Sequence, residues 1–193
     1  NTLLSSMERE TKNKSVRETV RVLRAILGNN SKVVIGSMED ILAYRKEVLG
    51  DATILPSRKG FYDVENQTIF LTENNHETIA HEMIHLATFE AVLAHYKGED
   101  NKYVDKLEQL MEEFLAMDFN DVTPEVAAAS KAARAQILKS RSSSDPFDKA
   151  VALNEFMAWT LSNEALIKEL KTTEVKLLSK FVDTAIAFIK RIL

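Results

Sequence analysis

Thr78-Ile79-Ala80-His81-Glu82-Met83-Ile84-His85-Leu86-Ala87-Thr88 is the stretch on which the reading of this 193-residue chain turns. Its apolar spacing predicts a helix, and at 100° per residue His81 and His85 fall on one face, one turn apart. Both imidazoles can then reach a single ion. Glu82 sits one step round the helix, where it can take a proton from a water instead of filling a coordination position. Zinc suits such nitrogen ligands at about 2.0–2.1 Å, lowers the pKa of a bound water and polarises a carbonyl. A helix sleeved in Ile79, Ala80, Met83, Ile84, Leu86 and Ala87 should not carry two His and a Glu without partners, because unpaired polar burial costs several kcal/mol. The stretch therefore predicts zinc ligands at His81 and His85, with Glu82 as the general base of a hydrolytic site.

Two imidazoles leave the coordination incomplete. The run Leu86–Ala91 contains neither a Gly to bend the chain nor a further His, so the helix continues. His95 lies ten residues beyond His85, about 15 Å along the axis, too far to join the same ion. Glu155 is the best candidate for a third ligand, a lone acid in the apolar run 151–161. A carboxylate placed there either pairs or ligates. Glu112, Glu113, Asp118 and Glu125 are rivals in more polar surroundings. A donor to stabilise a developing oxyanion is also expected; Tyr62, Tyr96, Tyr103 and His95 are available, and the sequence does not choose among them. His76 falls at the entry to the helix, where capping or solvent contact is the default.

Outward from this helix, apolar residues at Val16, Val20, Val22, Leu23, Ile26 and Leu27 predict a helix closed by Gly28-Asn29-Asn30. A β-branched run over 32–35 predicts a buried strand, and 38–49 a helix stopped by Gly50. Strands are expected over 61–64 and 68–71, as a hairpin or in succession. Asn75 can cap the central helix, expected over 76–97 and broken by Gly98. Helices follow over 102–117, after Thr123-Pro124, and over 147–170 and 173–193, with 140–146 as a linker. The last helix carries an apolar stripe (Leu177, Leu178, Phe181, Val182, Ile186, Phe188, Ile189) read as core packing, or as cover for another domain. The fold class is helix-dominated α+β: one domain over 1–193, with a small N-terminal sheet within about 1–98 and a helical part over about 99–193.

Composition sets the outer limits. Hydrophobic residues form 45% of the chain and charged residues 28%, as in ordinary globular proteins. The absence of cysteine rules out disulfides and thiolate metal sites, leaving His and carboxylate for any metal. A net charge of −4 offers no basic field, so neither nucleic acid nor a membrane is expected as a partner. No secretion signal is evident, which points to a cytoplasmic or virion-associated location. The chain starts at Asn1 and is read as a fragment of a larger protein whose other domains could be partners.

Together these residues resemble the zincin superfamily of metallopeptidases, and more narrowly its gluzincin arrangement, in which HExxH is completed by a Glu on a later helix. The run 78–88 resembles that family's active-site helix. Asn154-Glu155-Phe156-Met157-Ala158 is similar to the Asn-Glu-x-x-Ala run of its glutamate helix. The block 155–163 (EFMAWTLSN), with the 62–71 hairpin before the HExxH helix, is similar to zincin-like domains embedded in large phage-encoded virion proteins. The resemblance implies a zincin-like fold, zinc, and hydrolysis of a protein or peptide lying along an edge strand supplied by 61–71. Two departures stand out: seventy residues separate His85 from Glu155, and position 159 is Trp where some relatives place an Asp to orient a ligand His. The alternatives are a zincin-fold module without turnover in a phage virion protein, or a metal-dependent hydrolase of peptidoglycan amides.

Overall fold

Asn75 starts the helix around which the rest of the chain is arranged. Its Oδ1 accepts from the amides of Glu77 (2.8 Å) and Thr78 (3.2 Å), satisfying two donors that a helix start leaves open. The computed structural model describes residues 2–10, 14–27, 32–50, 60–63, 68–72, 75–172 and 177–192. In chain order these form α1 (Thr2–Glu10), α2 (Lys14–Leu27), β1 (Lys32–Ile35), α3 (Met38–Tyr44), a π-helical segment (Arg45–Leu49), β2 (Gly60–Asp63) and β3 (Thr68–Leu71). The helices α4 (His76–Tyr96), α5 (Lys102–Ala116), α6 (Pro124–Arg141), α7 (Pro146–Ser162), α8 (Glu164–Thr172) and α9 (Leu177–Ile192) complete it. The fold is helix-dominated α+β, as the sequence predicts.

The sheet among the described residues has the order β1-β3-β2. Thr68-Ile69-Phe70-Leu71 is buried along its whole length because it is the middle strand. It runs parallel to β1, with Lys32 opposite Thr68, and antiparallel to β2, with Gly60 opposite Leu71. Each outer strand pairs with β3 on one edge only among the described residues, and β2 lies against α4.

Helix α4 packs most extensively on α7, and α7 in turn on α6. One apolar cluster runs from Val20 and Leu23 through Ile79, Ile84 and Val92 to Phe156, Phe181 and Ile189, so the sheet-bearing and helical parts share a core. Within it Phe156 meets Phe114 (5.6 Å) and Phe181 (4.9 Å), which ties α5, α7 and α9 together.

Several boundaries differ from expectation. The helix expected over 147–170 is two helices, because Asn163 leaves helical geometry (ψ 114°) after α7 and its Oδ1 accepts from the Leu166 amide to start α8. The helix expected over 38–49 loosens to π geometry at Arg45, whose guanidinium reaches Asp63 at the end of β2 (3.1 Å). Gly50, at φ 69°, then ends it in the left-handed conformation glycine tolerates. The linker expected over 140–146 is short: α6 extends to Arg141, and Asp145 already caps α7 through the Phe147 amide (2.8 Å). Helix α1 was not expected. The Gly28-Asn29-Asn30 cap, Val64 and the start of the helix expected over 173–193 lie outside the described residues.

Candidate metal centre

Residues on α4 and α7 face each other across the largest helix–helix contact of the molecule, and the polar ones meet at a single point. His81 Nε2 lies 3.4 Å from Glu155 Oε2, and His85 Nε2 lies 3.8 Å from Glu155 Oε1. The two imidazole rings are 4.8 Å apart in an edge-to-face arrangement. Side-chain exposures of 16%, 12% and 13% for His81, His85 and Glu155 leave the group sheltered yet reachable. Two ligands at zinc bond lengths in a tetrahedron are separated by about 3.3–3.4 Å, close to the His81–Glu155 separation and longer than an optimal charged hydrogen bond. The donor set of two nitrogens and a carboxylate is one that zinc takes. The residues present thus fit a divalent metal in chemistry, and in spacing for His81 and Glu155, with His85 a few tenths of an ångström wider.

Asn154, fully buried, turns toward the other nitrogen of His85, with Oδ1 2.9 Å from Nδ1. An amide oxygen only accepts, so Nδ1 carries the proton and the lone pair is left on Nε2, the atom facing Glu155. Adjacent residues on a helix diverge by 100°, which lets Asn154 and Glu155 approach the same imidazole from different sides. The Thr88 hydroxyl, bonded to the Ile84 carbonyl at 2.7 Å, lies 3.3 Å from the same Asn154 oxygen and closes that side of the ring. Holding a ligand imidazole through its second nitrogen is how metal sites fix tautomer and orientation. The sequence reading placed Asn154 beside Glu155 but gave it no such task.

Position 159, where an orienting acid was missed, holds a Trp set edge-to-face on His81 with ring centroids 5.5 Å apart. Its indole N–H donates to Gln136 Oε1 on α6 (2.5 Å), fixing the ring that walls this side of the group.

Glu82 is 7% exposed, next to His81 on α4. Strand β2 passes directly over it: a Cβ built on Gly60 would stand 3.1 Å from Glu82 Cγ.

The remaining candidates are placed elsewhere. Tyr96 donates to Glu108 (2.5 Å), and His95 Nε2 lies 3.4 Å from Asp105, both at the α4–α5 junction. Burial, and then the Glu108 carboxylate, push the Tyr96 phenol well above its usual range. His95, Asp105 and Glu108 bring ligand-type atoms within 4.8 Å of one another, but Asp105 is half exposed and Glu108 already serves Tyr96. Tyr103 lines a cavity between α5 and α9 with Lys102, Lys106, Asp183, Thr184 and Ala187. The Tyr62 side chain is outside the described residues. Among the rivals of Glu155, Glu112 pairs with Arg141 (2.7 Å to Nε), Asp118 accepts from the Asn120 amide (2.9 Å), and Glu113 and Glu125 are exposed. His76 meets Glu10 of α1 at 3.4 Å instead of capping.

No family model and no solved structure matches the chain. It is similar to the virion DNA-directed RNA polymerase of Enterobacteria phage N4, at 31% identity over 170 residues. That match takes in 79% of this chain and 5% of the relative, so the chain spans about a twentieth of that relative's length.

Proposed function

We propose that this chain is a zinc-dependent peptidase domain of gluzincin type, with His81, His85 and Glu155 as metal ligands and Glu82 as general base. The convergence of His81, His85 and Glu155 from α4 and α7 carries the reading. Seventy residues apart in sequence, two imidazoles and a carboxylate have little reason to meet in a sheltered spot except to hold a cation, because burying such groups costs several kcal/mol. Zinc bound there would supply Lewis-acid polarisation of the scissile carbonyl and a more acidic water. Glu82 takes a proton from the attacking water and returns it to the leaving amine, a role that needs a buried carboxylate beside the ligands and not among them. Asn154 keeps His85 in the ligating tautomer. The edge of β2 that no other described strand pairs, next to Glu82, would offer backbone donors and acceptors to an extended peptide lying as an added strand.

The similarity to a segment of a virion protein favours placing the domain in a large phage virion protein. It also keeps a second reading in play, in which the fold serves there without turnover. Glu82→Gln separates the two. Peptide hydrolysis should fall by about 10²–10⁴-fold, the usual worth of general base catalysis, with zinc stoichiometry unchanged. Hydrolysis by the variant at the parent's rate would remove Glu82 from the mechanism, and a parent that binds zinc but cleaves no peptide would favour the module without turnover.

A further inference from the structure

Gly60 opens β2 in extended backbone, outside the left-handed region, so its conformation does not call for glycine. Glycine weakens a strand and often marks a close approach of neighbouring chain. Here the approach is visible on three sides. A Cβ at position 60 would stand 2.8 Å from Thr78 Cγ2, 3.0 Å from Leu71 Cδ2 and 3.1 Å from Glu82 Cγ, all closer than carbon atoms tolerate without movement.

The three neighbours differ in how they can yield. Leu71 is fully buried in the middle strand, in register opposite Gly60. Thr78 is β-branched and stiff at χ1 within the first turns of α4. Glu82 is met at Cγ, part-way along a buried side chain, so its carboxylate is carried with any shift there. A side chain at position 60 is therefore accommodated only by movement at all three contacts, Glu82 among them, or by lifting β2 away from α4.

On the reading of Glu82 as general base, we infer that Gly60 is a positioning residue: the missing side chain lets the sheet edge press on α4 and sets where the Glu82 carboxylate stands. The Glu82 contact calls for a shift of a few tenths of an ångström, less than the displacement of about 1 Å that costs on the order of 10² in rate. Substrate contacts proposed for the outer edge of β2 change much less if the strand stays in place.

The test is Gly60→Ala in the full chain, read by zinc stoichiometry, by kcat and KM on a peptide substrate, and by crystal structures of variant and parent. Zinc should bind as in the parent, kcat should fall about tenfold, KM should stay within about threefold, and the Glu82 carboxylate should be displaced. Parent-like kcat with Glu82 unmoved overturns the inference. Should the single variant fail to fold, Gly60→Ala with Thr78→Ser removes the closest clash and leaves the Glu82 contact. Low kcat in that double variant supports the inference, and parent-like kcat overturns it. If the parent itself cleaves no peptide, the peptidase reading falls alone, and the position of Glu82 in the Gly60→Ala crystal still decides the role of Gly60.

Discussion

Asn154 and Glu155 are neighbours on one helix, yet each meets His85 at a different nitrogen. Replacing Asn154 by Ala would leave Nδ1 of His85 facing a small void, and the ring would lose the contact that selects its tautomer. Zinc affinity, measured by competition with a chromogenic chelator, should fall about 10–100-fold while the helical circular dichroism stays unchanged. Unchanged affinity would mean that packing alone orients His85. His81, His85 and Glu155, which the fold brings together, were legible as candidates because helical spacing and apolar neighbours mark a polar residue out of place. The task of Asn154 was hidden. Which side of Glu155 turns to His85 depends on how α7 is rotated against α4, and no local pattern records that rotation.

At the scale of elements, Tyr96 and Glu108 join the end of α4 to α5 across the turn at Gly98. The phenol is held above its ordinary value by burial and by the Glu108 carboxylate. In the unfolded chain it ionises near pH 10. Folded-state pKa above unfolded means the contribution is complete below about pH 10 and fades as pH rises beyond it. Melting temperatures of parent and Tyr96→Phe should therefore differ at pH 8 to 9, with the gap closing above about pH 10. A gap that stays constant with pH would show that the bond adds no proton-linked stability. Element type was readable from periodicity for β1 to β3 and for most helices, but α1 was missed and boundaries were not always legible. Ser162-Asn163 carries no Gly or Pro, so 147–170 looked continuous; the break comes from Asn163 ending one helix and capping the next. The π turn at Arg45 was equally silent, since its partner Asp63 lies on a strand eighteen positions away.

For the molecule as a whole, the small sheet and the helical part are one body around a shared core, with the proposed metal centre at the junction of α4 and α7. Helix dominance was legible in the long stretches of helical apolar spacing, while strand order was not, because a parallel β1–β3 pairing depends on where α3 and the π segment carry the chain. The chain has a single tryptophan, and it stands edge-on to His81, 5.5 Å away. Indole emission responds to the charge and placement of a ring that near. Intrinsic fluorescence should thus report metal occupancy without any label: titration with zinc should give a saturable change at one equivalent, reversed by a chelator. A flat titration at zinc excess would show that His81 takes no part in binding. Ligand exchange at the centre could then be timed by stopped-flow, from the light of one side chain.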